Sequence, residues 1–192
     1  MSSKRVILLG DSIRLSYQEE VQRLLLGHDL TVSGPADNCR FSLYTLMRLA
    51  DWLPADEEVD TIHWNNGLWD LGNCTRRAPT YFQVDEYLVN LGFIAEELQK
   101  KARRVIWRTI TPVREPQTIV GTWTFSNERI EEYNRRSVEL MCKLGIGVHD
   151  LWHDFHHAGP DWYVADGVHL SPLGVTRCAA SVSAAIIAGS AP

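Results

Sequence analysis

The 192-residue chain is 45% hydrophobic and 22% charged and has a formal net charge of -5, the ordinary balance of a globular protein. That length suits one domain over residues 1–192 with a sizeable buried core. The acidic balance argues against nucleic-acid or anionic-membrane partners, which want a basic face, and no stretch approaches the ~20 apolar residues that span a bilayer. Cys39, Cys74, Cys142 and Cys178 are scattered without a paired motif and read as free thiols of a reducing compartment. The first apolar run, residues 6–9, is too short for a signal-peptide core, so a cytoplasmic location is expected.

In chain order, short apolar runs alternate with amphipathic segments, the pattern of a parallel sheet wrapped by helices. Residues 5–9 read as a fully buried first strand. Residues 13–26 read as a helix with Leu15, Val21, Leu24 and Leu25 available to an inner face. Residues 30–32 form a second strand, stopped by Gly34-Pro35. A helix over 42–53 carries Leu43, Leu46, Met47, Leu49, Ala50 and Leu53 at helical spacing. The acidic turn Asp56-Glu57-Glu58 leads to a third strand at 61–65. The clearest helix, 85–101, sets Leu88, Leu91, Ile94, Ala95 and Leu98 on one side, and its final lysines suit the helix dipole. A fourth strand at 105–110 stops at Thr111-Pro112. A helix over 127–144 has Ser126 or Asn127 as cap, a fifth strand spans 146–149, and a small-residue helix over 171–188 begins at Ser171-Pro172. The expected architecture is a three-layer α/β/α sandwich.

Open parallel sheets bind ligands beyond the carboxyl ends of their strands. Ser12, residues 38–42, Asn65-Asn66-Gly67, the 111–124 loop and residues 166–169 all fall on that rim. Ser12 sits between strand and helix, where free N–H groups and the helix dipole stabilise negative charge. The same position suits a serine that only caps the helix, and both readings stand at this point. Neighbouring Asp11 is expected to bond backbone groups. Asp166 and His169 are three apart, so the carboxylate can receive the imidazole Nδ1–H while Nε2 faces outward, the tautomer a general base needs. A surface Asp–His pair is the plainer alternative.

Two blocks, Leu9-Gly10-Asp11-Ser12-Ile13 and Asp166-Gly167-Val168-His169, resemble those of the SGNH (GDSL-type) hydrolase family, with Ile13 where the name-giving leucine usually stands. The resemblance runs over essentially the whole chain. It implies a flavodoxin-like five-stranded parallel sheet in the order 2-1-3-4-5, and a Ser12–His169–Asp166 triad with Ser12 as nucleophile, His169 as base and Asp166 as orienting acid. It further implies an oxyanion hole made by the Ser12 amide, a main-chain amide in the second block and an asparagine side chain. Asn65 takes that last place in His63-Trp64-Asn65-Asn66-Gly67, or Asn66 if the register slips by one. The glycine block departs from the family: Asn38-Cys39-Arg40-Phe41-Ser42 has no glycine after Asn38, leaving the Arg40 amide as the donor. The Arg40 side chain would border the pocket or pair with Asp70.

The expected activity is hydrolysis of a short-acyl ester through an acyl-enzyme, with an O-acetyl group on a carbohydrate favoured over a long-chain lipid because no apolar lid is apparent. Trp69 and Trp123, in loops, are the candidate substrate contacts, whereas Trp64 and Trp107 sit in strands and suit the core. No cofactor or metal is expected, and a homo-oligomer is left open. The runner-up enzyme is a metal-dependent hydrolase using the run His149, His153, His156 and His157 with Asp150 and Asp154, which lacks a recognised zinc spacing. A non-catalytic binding module on the same scaffold is the other alternative. Nucleotide binding finds no glycine-rich phosphate loop.

Overall fold

In chain order the computed structural model contains β1 (Lys4–Leu9), α1 (Ser12–Leu24), β2 (Leu30–Ser33), α2 (Ser42–Trp52), β3 (Val59–Trp64), α3 (Leu68–Leu71), β4 (Asn73–Cys74), α4 (Val84–Lys101) and β5 (Ala102–Arg108). There follow β6 (Ile119–Val120), β7 (Trp123–Thr124), α5 (Asn127–Lys143), β8 (Gly147–His149), α6 (Leu151–Phe155), a single 3₁₀ turn at Pro160–Trp162 and α7 (Pro172–Ala188). The structure describes residues 3–53, 58–74, 82–115, 119–120 and 123–188. The expected turn at Asp56 and Glu57, and part of the 111–124 loop, lie outside them.

Strands β2, β1, β3, β5 and β8 form one parallel sheet in that spatial order, which is 2-1-3-4-5 when only its own strands are counted. A strand with helices on both faces must be apolar on both, and β1 obeys: Val6, Ile7, Leu8 and Leu9 are all buried. Its residues alternate between two cores. Ile7 and Leu9 join Leu91, Ile94 and Leu98 of α4 and Ile130 of α5, whereas Val6 and Leu8 join Tyr17 and Val21 of α1 and Ala179 and Val182 of α7. Trp64 and Trp107 fill the first core edge-to-face, with ring centroids 4.6 Å apart. Both tryptophans are core residues, as their strand positions imply.

Two helices bury only part of the expected face: Val21, Leu25, Leu49 and Leu53 are buried as expected, but polar residues share the inner side with them. In α1 the inward residues are Ile13, Arg14, Tyr17 and Val21, while Leu15 is 37% exposed. Arg14 is fully buried because its guanidinium donates to the carbonyls of Pro35 and Asp37 and to Gln18, tying the loop after β2 to α1. In α2 the buried stripe is Ser42, Thr45 and Leu49, and Met47 is 71% exposed. Polar side chains with a fixed buried partner outcompeted apolar ones for the inner face. The structure adds a second, three-stranded antiparallel sheet (β4-β7-β6), with α3 and α6, which the sequence pattern does not reveal because two-residue strands and one-turn helices carry no periodicity.

Candidate active site

The turn from β1 into α1 sets Ser12 at the carboxyl rim of the sheet. Asp11 is the N-cap, its Oδ1 accepting from the Ile13 amide at 3.0 Å. Capping by Asp11 leaves the Ser12 hydroxyl free for another partner. That partner is His169, with Ser12 Oγ and His169 Nε2 2.9 Å apart. As the first residue of α1, Ser12 also has an amide without an intrahelical acceptor.

His169 is held by the turn preceding α7. Asp166 Oδ1 accepts from the amides of Val168 and His169 at 2.8 and 2.9 Å, and its Oδ2 lies 2.7 Å from His169 Nδ1. One carboxylate therefore shapes the turn with one oxygen and orients the imidazole with the other. With the proton on Nδ1 directed at Asp166, Nε2 is left to accept from the Ser12 hydroxyl. Burial tends to raise the Asp166 carboxyl, but the bonds from His169 and the two turn amides outweigh it and hold the group below the usual carboxylate range. The turn itself is clamped from outside: Arg114 donates its amide to the Gly167 carbonyl at 2.8 Å and its guanidinium to the Ala165 carbonyl at 2.9 Å. The structure thus brings Ser12, His169 and Asp166 into one hydrogen-bonded chain.

The other expected oxyanion donors are engaged elsewhere. Asn65 stands at the end of β3, but it is buried, and its side-chain NH₂ donates to the carbonyls of Arg108 at 2.8 Å and Asn66 at 3.3 Å. Asn66 is equally committed: its NH₂ donates to Thr45 Oγ1 at 2.8 Å and the Arg40 carbonyl at 3.1 Å, while its oxygen accepts from the Trp64 indole at 2.7 Å. A one-residue slip therefore supplies no free donor. Buried amides at a strand end satisfy nearby carbonyls first.

Arg40 departs from expectation in three ways. Its φ is 50°, the left-handed conformation that glycine adopts without cost, so the backbone keeps the shape of a glycine position although the residue is not glycine. Its amide turns onto Asn38 Oδ1 at 2.8 Å and is not a free donor. Its guanidinium lies over the Tyr44 ring at 4.6 Å and 3.9 Å from Asp37, away from Asp70. Asp70 is instead fully buried under the amide and hydroxyl of Ser42, and burial pushes its carboxyl up to about 7 against those hydrogen bonds.

Beside Ser12 and His169 opens a cavity of about 110 Å³ walled by Leu68, Trp69, Trp123, Phe125 and Val168. The rings of Trp69 and Trp123 have centroids 5.7 Å apart, so α3 and the small sheet bring both expected contact residues to one wall. Gly72 is needed here, because a Cβ on it would come within 2.6 Å of the Trp123 ring. Leu68 and Phe125 also line the cavity, and nothing in the sequence sets them apart from core residues.

The histidine-rich run does not converge. His149 is buried against His63 at 3.0 Å and Ser181 at 2.8 Å, while His153, His156 and His157 are exposed. Among the described residues no three His, Cys, Asp or Glu side chains group to hold a metal ion, and no helix is long and apolar enough to cross a membrane. Cys39, Cys142 and Cys178 are free thiols.

No family model and no curated protein matches the chain. Solved structures do. An acetyl xylan esterase, AlAXEase, is 18% identical with a TM-score of 0.78, over 95% of this chain and 99% of its own. A GDSL-like lipase from Bacteroides thetaiotaomicron is 18% identical with a TM-score of 0.73, over 97% of this chain and 89% of its own. A lipase/acylhydrolase from Enterococcus faecalis is 22% identical with a TM-score of 0.69, over 95% of each chain. The chain has the α/β/α fold that these GDSL-type esterases and acylhydrolases share.

Proposed function

We propose that the protein is a serine esterase that removes a short acyl group from an alcohol, with an O-acetylated carbohydrate as the substrate class. One observation carries the reading: the unbroken chain from Ser12 Oγ through His169 to Asp166, 2.9 and 2.7 Å long, at the mouth of an apolar cavity. In this mechanism Ser12 Oγ attacks the ester carbonyl as His169 Nε2 takes its proton, and Asp166 stabilises the imidazolium. The tetrahedral oxyanion forms at the N-terminus of α1, against the Ser12 amide and the helix dipole. Asn65 joins as a donor by releasing its longer bond, 3.3 Å to the Asn66 carbonyl. His169 returns the proton to the leaving alcohol, and water, activated by the same imidazole, frees the acid.

The size of the cavity favours acetyl over extended acyl chains, and the likeness to an acetyl xylan esterase points the same way. Turnover of a p-nitrophenyl acetate-to-octanoate series tests the reading. The parent protein is expected to prefer acetate, and Ser12→Ala to lose turnover by roughly 10⁴-fold or more. Near-parental turnover in Ser12→Ala sinks the assignment. The engagement of the Asn65 and Arg40 amides favours a second reading, a binding module without catalysis, and absence of turnover across the whole series with the parent protein selects it.

A further inference from the structure

A second cleft, of about 440 Å³, is lined in part by Arg114, the residue that clamps the turn carrying Asp166 and His169. Its walls come from residues 112–115 after β5, from α6 and from the 158–163 segment. Trp152, half-buried, and Tyr163 supply aromatic surface, and His156, Arg114 and Glu115 supply polar edges. The one guanidinium and the one carboxylate in this lining offset each other, so the cleft selects neither anions nor cations. Apolar ring faces beside hydrogen-bonding edges, without net charge, match a ligand with an apolar face and a hydroxylated rim.

The cleft is also mechanically joined to the Ser12 site. Arg114, which lines it, holds the carbonyls of Ala165 and Gly167. Tyr163 donates its hydroxyl to the Pro112 carbonyl at 3.1 Å, and the next residue, Val164, donates its amide to the His169 carbonyl at 2.9 Å. The 164–169 turn, whose Val168 and His169 line the first cavity, is thus held by Arg114 of the second cleft's lining and follows directly on its Tyr163.

We propose that the second cleft binds a sugar residue of the glycan whose ester the Ser12 site cleaves, an inference that rests on the esterase reading. The small apolar cavity then takes the acyl group and the larger mixed one a neutral pyranose of the same chain. No bond is made or broken there.

The test uses unesterified xylotetraose as probe and the indole N–H resonances of the ¹⁵N-labelled protein as readout. Saturable shifts are expected at Trp152 and not at Trp69 or Trp123, with affinity falling about tenfold in Trp152→Ala and several-fold in His156→Ala, whose side chain is exposed and tolerates truncation. With acetylated xylotetraose as substrate, His156→Ala is expected to raise KM while kcat holds. No saturable shift, shifts confined to Trp69 and Trp123, or unchanged affinity in the folded His156→Ala protein each overturns the proposal. Turnover of p-nitrophenyl acetate by the parent protein is read separately. Turnover without xylotetraose binding removes the sugar site alone, whereas binding at Trp152 without turnover removes the esterase.

Discussion

Arg40 shows how a single residue can keep a backbone shape that its side chain disfavours. A φ of 50° costs an ordinary L-residue about 1 kcal/mol, and here the Asn38 carboxamide bond and the stacking on Tyr44 offset that cost. Arg40→Gly removes both the strain and the stacking, so its unfolding free energy should stay within about 1 kcal/mol of the parent. Arg40→Val adds a β-branch to the strained position and should cost roughly 1–2 kcal/mol more than glycine. Urea titration of the two variants decides; equal stabilities would refute the account. Asp166→Asn tests the orienting carboxylate on the same scale. The amide keeps an acceptor for the turn but disturbs the His169 tautomer, and kcat for p-nitrophenyl acetate should fall by roughly 10³–10⁴ while KM changes little. At this scale the sequence was legible where a side chain has one demanding job. Ser12 reads from the sequence as either cap or nucleophile, and in the structure Asp11 is the cap. The amides of Arg40 and Asn65 are engaged in the structure, which the sequence does not reveal because it shows an amide but not the carbonyl that claims it.

Elements of one turn or two residues position the acyl cavity, and these are what the sequence hid. The five strands and the long helices followed from runs and periods, with ends within a few residues of those observed. By contrast α3 is preceded by Gly67, whose φ of 139° and contact with Ile110, 2.3 Å from a would-be Cβ, admit only glycine. β4 pairs with β7 through Asn73–Thr124 and Cys74–Trp123, and Arg129 of α5 braces the start of β4 by donating to Asn73 Oδ1 at 2.6 Å. Such contacts between short segments leave no periodic trace. They fix the Trp69–Trp123 wall, which in the proposed esterase limits the length of the acyl chain. Trp69→Ala is expected to open the cavity and move the best substrate of the p-nitrophenyl series from acetate towards butyrate or hexanoate, with kcat/KM for hexanoate rising about tenfold relative to acetate. An unchanged preference would show that Trp69 does not limit the acyl chain.

Across the whole molecule, two buried ionisable sites on opposite faces of the sheet set opposing pH dependences. Asp70 braces α3 against α2 on the α2–α4 side, and its carboxyl is pushed up to about 7, mainly by burial. The folded state therefore keeps the Asp70 proton that the unfolded chain releases near pH 4, and this group's contribution to stability is full below about pH 4 and declines as pH rises to about 7. His149 lies on the α1–α7 side against His63 and Ser181, and burial, with the Arg108 guanidinium adding to it, lowers its imidazole to about 4. Burial likewise holds His63 well below the ordinary histidine range. For His149 the unfolded chain takes up a proton near pH 6.5 that the folded state refuses, so its contribution is full above about 6.5 and is lost as pH falls towards 4, and His63 adds to it in the same direction. The two trends occupy nearly the same window with opposite sign, and with two histidines against one carboxyl the stability of the parent protein should rise with pH between 4 and 6.5. Asp70→Asn removes the opposing limb and should make that rise steeper. His149→Gln weakens the rising limb and should flatten the profile. Chemical denaturation at half-unit pH steps measures all three profiles, and parallel curves for the parent and both variants would show that neither buried group governs the balance.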